Sequence, residues 1–198
     1  MHAGWRGTLA RITEKTVGEM RQALALAEWK DNDYINPPLA AVDAKAQIIV
    51  AHTLTNNGSD QGQLAPLLDG IRANLGRNPD EASADAGYCS AANLRTLSRR
   101  RIKGYIATGR QKHGSASATA KRPAKPGSLI ARMTTRLRRA GHRSRYRLRK
   151  QVVEPVFGQI KQARGFRQFL LRGIEKVKAE WALICSVHNL RKLALAAA

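Results

Sequence analysis

Two acids stand where residue type and spacing could support chemistry. Asp85 closes the short run Glu81-Ala82-Ser83-Ala84, which reads as a strand, and Gly87 just beyond it permits a sharp turn. Carboxyl ends of strands in α/β sheets open into the ligand crevice, and a carboxylate there can hold a hard divalent cation. The competing reading is that Asp85 caps the turn. Glu154 is the second acid. Val153, Val156, Phe157 and Ile160 fall on one stripe of a helix, with Lys150, Glu154 and Lys161 on the adjacent face. That grouping is either a metal-binding acid flanked by phosphate-binding lysines or a surface ion-pair ladder worth a few tenths of a kcal/mol. Pro155 follows directly, which predicts a helix start or a kink at this point.

Charge indicates a partner. The 198 residues carry 35 Lys and Arg against 14 Asp and Glu, a formal net charge of +21. Such a surplus repels itself in a compact chain and is offset by a polyanion, whose condensed counterions are released on contact. Nucleic acid is the leading partner, ahead of an anionic membrane surface. Arg143, Arg145, Arg147, Arg149 and Lys150 form the densest cluster and read as phosphate contacts, a track that Arg164, Arg167 and Arg172 would extend. Cys89 and Cys185 lie far apart, so neither a zinc knuckle nor a disulfide framework is expected. No apolar run approaches the roughly 20 residues of a membrane span, and no signal peptide is visible. A cytoplasmic protein is expected.

The acids need elements to position them. Residues 5–30 read as an amphipathic helix ended by Asn36-Pro37-Pro38. Ala40–Val42 and Gln47–Leu54 read as a hairpin turning at Asp43-Ala44-Lys45, and the continuous run Ile48-Ile49-Val50 predicts a central strand covered on both faces. Ser59 or Asp60 suits an N-cap for a helix carrying Leu64, Leu67, Leu68, Ile71 and Leu75, closed by Gly76. Ser90 starts another helix, with Arg99, Arg100 and Arg101 in its last turn, and residues 102–106 form a further strand. Hairpin, helix, strand, helix, strand makes an α/β sheet whose last strands run parallel. Residues 109–130 are rich in Gly, Ser, Pro and Lys and read as a flexible basic loop. Trp181, Ile184, Cys185 and His188 repeat at helical spacing and read as core.

Several of these segments together resemble a known family. The stretch from Ala41 to Ile71, the motif Ala84-Asp85-Ala86-Gly87-Tyr88, and the segments beginning at Val153 and Glu175 resemble DDE transposases of bacterial insertion sequences over roughly residues 39–198. The resemblance identifies Asp85 as the family's second aspartate and Glu154 as its third acid. The step from Glu154 to Lys161 matches the Tyr-Arg-Glu-Lys signature. Tyr146 and Arg149 stand one residue out of the usual spacing, and Lys150 occupies the place of the arginine.

What the resemblance implies is a partial ribonuclease H-like fold, a mixed sheet flanked by helices, with a basic flexible insertion before the last catalytic helix. Residues 1–38 would be a helical arm, 39–108 the α/β core, 109–145 the insertion and 146–198 the carboxy-terminal helical part. It implies three carboxylates holding Mg2+, with Mn2+ able to substitute, for cleavage and transfer of DNA strands at transposon ends and target, acting as a homodimer. Arg145, Tyr146, Arg147, Arg149, Lys150, Lys161 and Arg164 would contact double-stranded DNA. The family's first aspartate belongs on a strand upstream of the hairpin, and no segment there matches it. A sheet without that strand would expose an edge. Asp43 reads as a turn residue and Asp60 as a cap. A shortened copy with impaired catalysis is expected. The competing function is a non-catalytic basic DNA-binding remnant or regulator of transposition.

Overall fold

The computed structural model describes residues 24–28, 38–55, 60–109, 124–140 and 145–197. Its centre is a five-stranded sheet made of β1 (Leu24–Glu28), β2 (Leu39–Asp43), β3 (Ile49–Thr53), β4 (Glu81–Ala84) and β5 (Lys103–Ile106), in the order β3-β2-β1-β4-β5. β2 runs antiparallel to β1 and β3, while β4 runs parallel to β1 and β5. The parallel pairing of the last two strands is as expected. So is the hairpin, whose turn Asp43 closes by accepting the backbone N–H groups of Lys45 (3.0 Å) and Ala46. An Asp in this position mimics a backbone turn.

The helix expected over residues 5–30 needs correction. Residues 24–28 are a strand, and that strand is the middle of the sheet. Ala, Leu and Glu are strong helix formers, so Leu-Ala-Leu-Ala-Glu reads as helix on propensity. It also alternates with period two, and the gap between β2 and β4 selects that pattern. The sheet therefore keeps a central strand, and the exposed edge expected from its absence does not arise. Residues 1–23 and 29–37, which include the rest of the expected helix, lie outside the described residues.

Helices cover both faces. On one side lie α1 (Leu64–Leu75), α2 (Ala91–Arg99) and α3 (Leu129–Ala140). On the other lie α4 (Arg145–Gly158) and α5 (Ile174–Ala197). β2 shows the division residue by residue. Leu39 and Ala41 join the core with Leu64, Leu68 and Leu97, whereas Ala40 and Val42 join the core with Val156, Trp181 and Ile184. All five β2 residues are buried, which is why this strand reads as an unbroken apolar run.

The helix ends obey local rules. Gly76 ends α1 at φ 70°, donating its N–H to the Arg72 carbonyl at 2.8 Å. At the start of α1, Asp60–Gln63 is a 3-10 turn that leads directly into the helix, and Gln63 gives no side-chain cap; Ser59, one of the two expected caps, lies outside the described residues. Ser90 caps α2 through the Asn93 N–H, as read from sequence. α2 closes with Arg101 donating to the Ser98 carbonyl (3.0 Å) and Ile102 to the Leu97 carbonyl (2.9 Å). This is the bonding of a Schellman motif, whose left-handed residue is usually Gly. Here Arg101 holds φ 57°, at a cost of about 1 kcal/mol.

A second correction falls within residues 109–145, expected as a flexible insertion. Residues 129–140 are the helix α3. Leu129, Met133 and Leu137 recur at four-residue steps, and Met133 and Leu137 are buried in the first core. Ser128 caps the helix through the Ala131 N–H at 3.1 Å. Its many arginines hid this apolar stripe. Residues 110–123 of the same segment lie outside the described residues.

Candidate functional site

Asp85 is placed by the turn that follows it. Its backbone is extended, its carboxylate accepts the Gly87 N–H at 3.0 Å, and residues 86–88 form one turn of 3-10 helix. The turn is anchored from below. Tyr88 is fully buried, and the Asn93 side-chain amide donates to the carbonyls of Gln61 (2.8 Å) and Tyr88 (2.9 Å). The capping reading of Asp85 is thus realised, and one bonded oxygen leaves the half-exposed carboxylate able to accept more.

β1 is the neighbour that matters. It pairs with β4 through Leu24–Ala82 and Ala25–Ser83. Continued by two residues, this register sets position 27 beside position 85. Residues 25 and 27 are both alanine, which has no metal-binding atom. The acid of this strand, Glu28, stands at the other parity and pairs with Leu39. Asp43 is 2% exposed and engaged by its own turn, so it is unsuited to hold a metal. Asp31 and Asp33 lie outside the described residues.

Glu154 lies on α4, which packs against β1 and β4, and its side chain is exposed. The neighbouring stripe is core as predicted: Val153, Val156, Phe157 and Ile160 are all buried. Pro155 was expected at a helix start or a kink, and it sits inside α4 and not at its start. A proline there cannot donate to the carbonyl four residues back. That carbonyl, on Gln151, accepts a long 3.5 Å bond from the Gln47 side chain. The helix then widens into a π turn over Gln159–Ala163. Lys161 lies in that turn, so it is rotated from the i+7 position that an unbroken α-helix would give it relative to Glu154.

The expected DNA-contacting residues are placed unequally. Arg145, Arg147, Arg149 and Lys150 fall on the first two turns of α4. Tyr146 requires correction, because it is 7% exposed and packs in the first core, so its ring is unavailable to DNA. Arg164 is half-buried, and desolvation followed by the nearby Arg191 pushes its pKa down. Lys192 is shifted down for related reasons, burial first and Arg164 second. This part of the surface therefore gathers like charges, as a phosphate-binding region would.

His188 lies under that cluster and is fully buried. One ring nitrogen, Nε2, lies 2.9 Å from the Gln47 carbonyl, an acceptor, so Nε2 carries the proton. Burial lowers its pKa from the ordinary 6.5, Arg164 and Lys192 lower it further, and the Gln47 bond opposes them. The folded value then lies below the unfolded one, and below 6.5 the unfolded chain binds the extra proton. Stability is expected to be complete above that pH and to fall as pH drops below it. Urea midpoints measured between about pH 7 and pH 5.5 should decline, and less so in His188→Gln. Equal slopes in the two proteins would remove His188 from this account.

The donor set can now be tested against the metal that the resemblance implies. Among the described residues no group of three His, Cys, Asp or Glu side chains is arranged to hold a metal ion. Asp85 and Glu154 are hard oxygen donors of the right kind for Mg2+. Two acids do not make the three-carboxylate site, and the strand that would carry the third has alanine at residues 25 and 27. No helix among the described residues is long and apolar enough to cross a membrane.

Comparison with curated proteins gives no match. Comparison with protein families gives one, over residues 108–194, to the family described as transposase DDE domain. The match begins just after β5 and spans α3, α4 and most of α5, so it includes Glu154 and leaves out Asp85. Residues 108–194, the carboxy-terminal part of this chain, are thus similar to the transposase DDE domain family.

Proposed function

We infer that the chain is a DNA-binding transposase domain with a ribonuclease H-like core, and that its strand cleavage is impaired. What supports this is the match over residues 108–194, joined to a mixed sheet in which β4, ending just before Asp85, runs parallel to a central strand with alanine at residues 25 and 27. Helices on both faces of a mixed sheet support the fold assignment. The net charge of +21 supports double-stranded DNA as the partner, gripped through phosphates in the cytoplasm. Asp85 and Glu154 are the acids that would meet Mg2+ or Mn2+. Pairing of transposon ends by a homodimer belongs to the same reading.

The experiment compares this chain with Glu154→Gln on duplex DNA that flanks its coding sequence, in Mn2+. Salt-sensitive binding is expected in both, with log affinity falling linearly against log salt, and cleavage at background in both. Robust cleavage that Glu154→Gln abolishes would overturn the impairment and require a third acid from outside the described residues. Absence of salt-sensitive binding would overturn the DNA reading itself.

A further inference from the structure

The layer opposite α4 and α5 carries its own basic groove. It runs between α2 and α3 along β5, the edge strand of the sheet. Two adjoining hollows of ≈ 600 and ≈ 320 Å³ share Arg132 and Arg136, and their walls add Arg101, Lys103 and Arg139. No Asp or Glu lines either hollow, and of the five cations Lys103 pairs with Glu81 of β4 at 3.2 Å. All five cations are exposed.

Three features show that this charge is arranged. First, α3 contains no acid, and Arg132, Arg136 and Arg139 recur at four- and three-residue steps, which sets them on one face. Like charges so spaced weaken a helix, and a polyanion lying along them removes that cost. The ladder spans about 10 Å, roughly the axial length of three base steps. Second, Arg136 is held in place, its Nη1 donating to the Gly104 carbonyl of β5 at 3.2 Å. Third, Arg101 occupies the left-handed position at the end of α2, where glycine is the unstrained residue, and its side chain lines the groove. Backbone strain of this kind collects at binding sites.

We propose that this groove binds the phosphate backbone of a DNA duplex, as a second track on the face opposite α4, the helix of Glu154. This rests on the reading of the chain as a DNA-binding protein and adds a surface that the Arg145–Arg164 track does not include. The groove meets phosphate alone, so the track adds affinity without sequence preference.

The test measures binding of a random-sequence duplex across a salt series. It uses the full chain, the double variant Arg132→Gln/Arg139→Gln, the single variant Arg101→Gly, and a charge-matched control, Lys176→Gln/Lys178→Gln, on exposed positions of α5. Removing one cation from a phosphate should lower the slope of log affinity against log salt by about 1, so about 2 for the groove double variant and about 1 for Arg101→Gly. Arg101→Gly should also leave the melting temperature unchanged or raised, which separates weakened binding from weakened folding. Groove variants that follow the control in slope and affinity would overturn the proposal, as would a groove that responds to an acidic peptide and not to duplex DNA. A wild-type chain with no salt-dependent binding would instead overturn the underlying DNA reading.

Discussion

Trp181→Ala is expected to destabilise the protein by about 3–5 kcal/mol, the range for removing a large buried aromatic from a core. Trp181 is fully buried on α5 and is the centre of the second core. Its ring stacks on Phe157 at 6.3 Å between centroids and meets Phe169 and His52 edge-on at 6.3 and 6.4 Å. Such pairs add to the value of burial alone. Its indole N–H also donates to the Leu39 carbonyl at 3.4 Å, joining α5 to β2. One side chain thus ties together α4, α5, β3, β2 and the loop at Phe169. Urea denaturation should show a large fall in midpoint at unchanged slope. A decrease under about 1 kcal/mol would mean that α5 is not joined to α4 and the sheet as described.

Asn189→Ala is the second large effect, about 2–4 kcal/mol from leaving two backbone groups without partners. β3, expected from its apolar run to be a central strand, is instead an edge strand, and its outward groups at Ile49 are met by one side chain from α5. The Asn189 amide accepts the Ile49 N–H and donates to the Ile49 carbonyl, both at 2.8 Å. It acts as a single residue of a missing sixth strand. Ile49 is 4% exposed, so water cannot substitute freely for the amide. Asn189→Asp keeps the acceptor and removes the donor, and should fall between wild type and Asn189→Ala. Asn74→Ala, which removes a single bond to the Val50 carbonyl, should cost about 1 kcal/mol. If Asn74→Ala and Asn189→Ala prove equal in denaturant midpoint, the edge is not clamped in this way.

Much of the architecture could be read along the chain because local signals agreed with the fold. The Asp43 turn, the Gly76 and Ser90 caps, and the parallel pair β4 and β5 follow from turn chemistry, capping and right-handed crossover. The apolar stripe from Val153 to Ile160 and the buried run from Trp181 to His188 follow from a 3.6-residue period. Asp85 was legible as an acid at the end of a strand, since Gly87 and the short apolar run fix that place locally.

Where local signals competed, only the tertiary structure could decide. Residues 24–28 carry helix formers in a strand period, and pairing on both sides with β2 and β4 settles the choice. α3 looks like a basic linker until Met133 and Leu137 find the first core. Tyr146 looks like a DNA contact until the same core buries it. Sequence by itself determined the charge, the acids at residues 85 and 154, and the elements that carry them. The partner of each face, the strand standing beside Asp85, and the alignment of the α3 arginines along β5 were decided in three dimensions, because burial and pairing depend on residues far apart in the chain.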